Sequence, residues 1–512
     1  MLVSRTPLVM IVSLAALAGL FWFLSQDSRR PADPTAGGSG DKTPELMLYC
    51  AASNRSVVEA VRERYEAETG RQVSIQYGPS QTLLSQLEVA RTGDLYLPAD
   101  DSFLKLATAG GLVEEILPLA AMNCVVVVPK GNPRGIRSLT DLFAEDLRVV
   151  QANPEAAAVA RMTRRLLTEA GLWDRLDAAT EAYRTTVNDV ANDVLVGAAD
   201  AGIVYDAVLY PYPDLEAVPV PELAAGRSQI AVGVTSFSEQ PAAALHFARY
   251  LSAQDRGLEE YQKQGFETSG GDQWEDVPEL TIFAGSMLRP VIEDTIVGFE
   301  AREGVLVSRT YNGCGILVAQ MQAGQHPDAY FACDVEFMQQ VRELFPNSTD
   351  VSTNQLVILV PKGNPRQIAS LQDLTQKDLR VGIGHEKQCA MGWLTQRTFA
   401  ETGVQTEIMA NVTVQTPTGD MLVNQLRTGS LDAAVAYLSN AAGSGEFLDA
   451  VQIQGIPCST ATQPWAVAER SRFPLLADRL FRRICSAESR EGFAAEGFGW
   501  QLNDVQEKEA DH

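Results

Sequence analysis

The chain has 512 residues, 46% apolar and 21% charged, which excludes a mainly disordered protein. Lysine and arginine number 41 against 65 acidic residues, a formal charge of −24, so nucleic acid and anionic lipid are not expected partners. At roughly 100 to 200 residues per domain, the length calls for several hydrophobic cores.

Arg5 precedes an apolar run from Leu8 to Leu24 broken by Ser13. Residues 1–25 read as a membrane anchor, with a cleaved signal peptide as the alternative: the run ends Leu20-Phe21-Trp22-Phe23-Leu24 and lacks a small-residue cleavage site. Its length lies at the short end of what spans a bilayer. No cysteine precedes Cys50, so the usual lipid-anchoring cysteine is missing. Either reading puts the bulk of the chain outside the cytoplasm, in the periplasm or its equivalent. Residues 26–44, rich in Pro, Gly, Ser and Asp, read as a flexible tether.

The rest of the chain contains one pattern twice. Pro129-Lys130-Gly131-Asn132-Pro133-Arg134, with Ser138-Leu139 and Asp141-Leu142 behind it, recurs as Pro361-Lys362-Gly363-Asn364-Pro365-Arg366 with Ser370-Leu371 and Asp373-Leu374. Ser53 and Ser286, Asp100 and Asp334, Tyr205 and Tyr437, and Gly265-Phe266 and Gly497-Phe498 keep nearly the same spacing. A tandem duplication is the reading: a first copy over 45–268, a second over 279–500, a polar joint from Ser269 to Val277, and an acidic tail over 501–512.

In each copy short β-rich runs alternate with helical ones, which predicts an α/β fold with a largely parallel sheet. Leu46–Cys50 reads as a strand, and Arg55–Thr69, with Val57, Val58, Val61 and Tyr65 at helical spacing, as a helix stopped by Gly70. Val73–Tyr77 is the next strand, and Leu83, Leu84 and Leu87 mark another helical face. Leu280–Phe283 and Val305–Thr310 take the strand places in the second copy. Ala121–Pro129 and Gln355–Pro361 read as buried strands that cross between lobes.

Ligands of open α/β sheets bind at strand-to-helix turns. Ala51-Ala52-Ser53 and Gly78-Pro79-Ser80 each put a serine at the start of a helix, where a hydroxyl and unpaired backbone N–H groups can donate to an oxyanion. Ala284-Gly285-Ser286 and Gly313-Cys314-Gly315 repeat the arrangement. Serine is also an ordinary helix cap, the plainer explanation of any one of them.

With Gly93-Asp94-Leu95-Tyr96 leading to Asp100, the Val-Pro-Lys-Gly-Asn-Pro segment and Ala201-Gly202-Ile203-Val204-Tyr205, these turns make each copy resemble the molybdate/tungstate-binding proteins of ABC importers. Those are type II periplasmic binding proteins, so the resemblance implies two tandem domains, each of two α/β lobes joined by a hinge. It further implies an oxyanion held by two serines, backbone amides of the second lobe and a tyrosine. In the first copy these fall on Ser53, Ser80, the amides near Val159 and of Val187, and Tyr205. In the second they fall on Ser286, Cys314, Cys389, Gly419 and Tyr437. Ala158-Val159-Ala160 stands where the family usually has Pro-Ala-Gly, and Cys314 replaces the second serine with a poor donor. An ABC permease is the implied partner and a small oxyanion the implied ligand. No cofactor is implied.

Cys50 and Cys124 read as core residues. Cys314 and Cys389 are expected to face each other from opposite lobes, as a disulfide, a soft-metal site with His385, or two unrelated thiols. A thiol-redox, soft-metal or ferric-ion protein on the same fold is therefore an alternative, as is a sensory or scaffold module uncoupled from transport. Tyr205, Tyr210 and Tyr212 could suggest ferric ion, but the second copy keeps only Tyr437, which favours aromatic packing. His246, His326, His385 and His512 make no pattern with a nucleophile or metal ligands, and an enzyme is not expected.

Overall fold

The structure, a computed structural model, describes residues 45–502. The anchor and tether expected over 1–44, and nearly all of the expected tail, lie outside the described residues. Among the described residues no helix is long and apolar enough to cross a membrane.

The first copy contains β1 (Leu46–Ala51), β2 (Val73–Gly78), β3 (Leu95–Leu97), β4 (Val113–Pro129), β5 (Val149–Ala152), β6 (Thr180–Arg184), β7 (Ala201–Tyr205), β8 (Leu215–Val218) and β9 (Arg227–Thr235). Their order across the sheet is β2-β1-β3-β9-β4-β7-β5-β6, with β8 also on β4. The second copy repeats it with Leu306–Asn312, Glu279–Gly285, Ala329–Phe331, Thr460–Val467, Ser348–Pro361, Ala433–Tyr437, Val381–Gly384 and Val412–Thr416.

Two lobes arise because β4 belongs to two sheets. Its first part, up to Asn123, pairs antiparallel with β9, and from Cys124 onward it pairs with β7 and β8. The chain crosses out at Asn123–Cys124 and back at Gly226–Arg227, where the Cys124 N–H donates to the Gly226 carbonyl at 2.7 Å. A Cβ on Gly226 would lie 2.8 Å from the Cys124 Cβ, so this crossing needs glycine. The valines of Val125–Val128 are all buried, which suits a β-branched run. The second copy crosses between Gln355 and Leu356 in the same way.

The crossings fall within Ala121–Pro129 and Gln355–Pro361, but both strands begin earlier, at Val113 and Ser348. The sheets also depart from the largely parallel expectation. β1 with β2 and β3, and β5 with β6 and β7, are parallel, whereas every pair of β4 or β9 is antiparallel because these strands carry the chain out and back.

Helical spacing is realised as read: Val57, Val58, Val61 and Tyr65 are the buried face of helix Arg55–Thr69, which ends at Gly70 with φ of 71° and its N–H on the Glu66 carbonyl.

The copies touch along one edge. Glu303, at the end of helix Arg289–Glu303, is 1% exposed. Its carboxylate accepts from Arg249 of the first copy at 3.2 Å and from Arg479 of the second at 2.7 and 3.1 Å, and its carbonyl accepts from Arg249 at 2.6 Å. Burial alone would push this carboxyl up, but Arg479 and Arg249 overcome it and hold it below its ordinary value. Around it, Arg302 reaches Glu115 and Glu114, and Arg483 reaches Glu114. The joint is bonded rather than loose: the Asp272 carboxylate accepts the Leu475 and Leu476 N–H groups at the start of helix Pro474–Ile484.

Candidate oxyanion site

In the first copy the turns after β1 and β2 face, across the cleft, the starts of helices Ala158–Glu169 and Val187–Leu195. A cleft with about 20 Å³ of free space lies between them, lined by Ser53 and Ser80 from one lobe and by Ala157–Val159, Thr186, Val187 and Tyr205 from the other. One water needs roughly 10–15 Å³, and organic ligands occupy roughly 300–1,000 Å³, so the space suits a group of a few atoms. No charged side chain lines it.

The donors are free for a reason in each case. Ser80 Oγ accepts the Ala99 N–H at 3.0 Å, which occupies a lone pair and leaves the hydroxyl proton available. The Ser80 carbonyl is held by the Tyr96 hydroxyl at 2.8 Å. Helix Ala158–Glu169 has alanine at its N-cap and no capping side chain, so its first-turn N–H groups lack an intrachain acceptor. Helix Val187–Leu195 is capped by Thr186, whose hydroxyl takes the Asp189 N–H and leaves the Val187 N–H. The Tyr205 hydroxyl is fully enclosed and forms no well-directed hydrogen bond. Burial first, then Cys124 and Asp100, push its ionisation far above the ordinary range, so it stays a donor. Ser53 is 6% exposed and its hydroxyl meets only Asn54, at 3.5 Å. The lobes touch beside the cavity, where the Gln81 N–H donates to the Ala156 carbonyl at 3.3 Å.

Ser53, Ser80, Val159, Val187 and Tyr205 thus border one space, with Ala99, Thr186 and Ala157 added. Ala99 was invisible because it acts through its backbone. Asp100 caps helix Asp101–Ala109 through the Ser102 N–H at 3.0 Å and lies behind the cavity. The tyrosines do not converge: Tyr205 is at the cavity, Tyr210 is 56% exposed, and Tyr212 packs on the core.

The second copy corrects the chemistry expected of Cys314 and Cys389. Cys314 is disulfide-bonded to Cys333, the counterpart of Ala99, 19 residues on in the same lobe. It is neither a thiol nor a partner of Cys389. Cys389 keeps its thiol, which lies 3.6 Å from the His385 carbonyl and 3.7 Å from that of Thr416, and burial pushes it up to about 11. Among the described residues no three His, Cys, Asp or Glu side chains gather as a metal site. Ser286 is half-buried, and Tyr437 is buried with an unpartnered hydroxyl like that of Tyr205. Gly419 opens helix Gly419–Arg427.

The sequence pattern of bacterial extracellular solute-binding proteins matches residues 46–267 and again 280–499. The molybdate-binding protein ModA of Mycobacterium tuberculosis is 31% identical over 247 residues, 48% of this chain and 91% of that protein. YvgL of Bacillus subtilis, provisionally named an ABC transporter substrate-binding lipoprotein, is 28% identical over 235 residues, 44% of this chain and 87% of its own. Among solved structures, the periplasmic molybdate-binding protein of Azotobacter vinelandii aligns at 18% identity and a TM-score of 0.40, covering 44% of this chain and 100% of that one. The sulfate-binding protein SubI of Mycobacterium tuberculosis aligns at 17% and 0.38, covering 44% and 86%. With the two-lobed fold, its hinge strands and two matches in succession, the chain belongs to the bacterial extracellular solute-binding protein family, as a tandem of two family units.

Proposed function

We propose that the first copy binds a tetrahedral oxyanion, molybdate or tungstate, between its lobes and delivers it to an ABC permease outside the cytoplasm. The observation that carries this reading is the uncharged cleft lined from both lobes by hydroxyl side chains and by the starts of two helices. Oriented dipoles stabilise a dianion without a buried countercharge when enough of them meet it. A ligand that still carries a proton, such as phosphate near neutral pH, is best held by a carboxylate acceptor, and none lines the cleft. Molybdate is favoured over sulfate by the 31% identity to ModA.

Closure about the Asn123–Cys124 and Gly226–Arg227 crossings brings the two half-sites together, and the anion selects the closed state because it bonds to both. Residues 45–268 and 279–500 serve as the two binding-protein domains, and the apolar run at 8–24 as their tether to the membrane. Thermal unfolding with molybdate, tungstate, sulfate and phosphate tests the reading. Stabilisation by the first two is expected, and a protein indifferent to all four would not be an oxyanion carrier.

A further inference from the structure

The second copy keeps the outline of the first site but fills its space. Three positions at its cleft are glycine where the first copy has side chains: Gly313 for Pro79, Gly315 for Gln81 and Gly419 for Val187. None of them faces open space. A Cβ on Gly313 would stand 2.4 Å from the Gln388 carbonyl oxygen and 2.5 Å from that of Pro417; on Gly315, 2.1 Å from that of Lys387. The glycines let the start of helix Cys314–Gln322 settle directly on backbone of the opposite lobe. The Gly315 N–H donates to the Gln388 carbonyl at 3.1 Å, the counterpart of the Gln81–Ala156 bond of the first copy, so the copies differ in the backbone packing around that bond and not in the bond itself.

One donor is also lost. Cys314 Sγ is bonded to Cys333 and accepts the Cys333 N–H at 3.0 Å, so it has no proton to offer where Ser80 has one. At the other lobe, a Cβ on Gly419 would lie 2.2 Å from Asn440 Oδ1, so this carboxamide fills the space a side chain would take. Asn440 is held there by accepting the Tyr437 N–H at 3.2 Å and donating to Asp420 at 3.4 Å. Asp420 replaces Asn188 and puts an acidic group in the first turn of that helix.

We propose that the second copy takes up no oxyanion and is closed by its own atoms, so that the chain is a one-site carrier joined to a pre-closed companion domain. The single site is that of the proposed function; the self-closure stands apart from it. The Glu303 cluster fixes the companion to the first copy at the lobes that carry Ser80 and Cys314.

Hydrogen exchange of the full chain, read by mass spectrometry without ligand, with molybdate and with sulfate, tests this. Segments 313–322 and 385–392 are expected to be protected without ligand and to keep their rates when molybdate is added, while segments 79–90 and 156–162 slow at least tenfold. Molybdate-dependent slowing at 313–322, or open-loop rates there without ligand, would overturn the proposal. Absence of slowing at 79–90 would instead refute oxyanion binding by the first copy, with self-closure still judged from the ligand-free rates. In the variant Gly315→Ala the added Cβ wedges the lobes, and exchange at 385–392 is expected to rise at least tenfold; unchanged rates would also overturn self-closure.

Discussion

The Ala99 N–H donates to Ser80 Oγ at 3.0 Å, and the Cys333 N–H donates to Cys314 Sγ at the same distance. One contact leaves a hydroxyl proton facing the cavity; the other ends on a disulfide sulfur. Ser80→Ala is therefore expected to weaken molybdate binding at least tenfold, and Ser80→Cys nearly as much, since a thiol donates poorly. Titration calorimetry of both variants measures this, and wild-type affinity in either would remove Ser80 from the site.

Tyr205 separates binding from folding. Its buried hydroxyl is only a poorly directed neighbour of the Ser228 side chain, so Tyr205→Phe removes a weakly bonded polar group while keeping the ring. Stability in urea is expected to hold or rise by about 1 kcal/mol, and molybdate affinity to fall. A loss of stability with affinity unchanged would show that the hydroxyl serves the fold alone.

Glu303 holds two buried guanidiniums, one from each copy. Glu303→Ala leaves both without their carboxylate, which is expected to cost about 3–5 kcal/mol, as for one partner removed from a buried ion pair. Differential scanning calorimetry is expected to resolve one transition into two as the copies come apart. A single transition with an unchanged midpoint would place the joining force elsewhere.

His246 is buried and neutral: the Tyr65 hydroxyl donates to Nδ1 at 2.9 Å, and Nε2 donates to Asp276 at 2.9 Å. Burial holds it down, to about 4, against the opposing pull of Asp276. The unfolded chain binds this proton near pH 6.5 and the folded chain only near 4, so the contribution is present above 6.5 and lost as pH falls towards 4. His246→Gln is expected to remove about one proton from the uptake on unfolding at pH 5. Equal pH slopes for the two proteins would contradict this.

The duplication was legible because its turn motifs are local and recur at nearly constant spacing, and the lobe-crossing strands because their valine runs are too apolar for a surface. The bonds that decide what each copy does were not. Ala99 contributes a backbone N–H, which no side chain announces. Nothing in the spacing of Cys333 announces that the fold lays it against Cys314, and Asn440 stands where the first copy has Val208. Glu303 looks like an exposed last-turn residue until Arg249 and Arg479 close over it. Asp272, in a stretch whose composition suggests a plain linker, caps a helix some two hundred positions away.

The most direct measurement is calorimetric titration of the protein and of its Ser80→Ala variant with molybdate. One molybdate is expected to bind per chain, with affinity reduced at least tenfold in the variant. No saturable binding, or binding indifferent to Ser80, would contradict this.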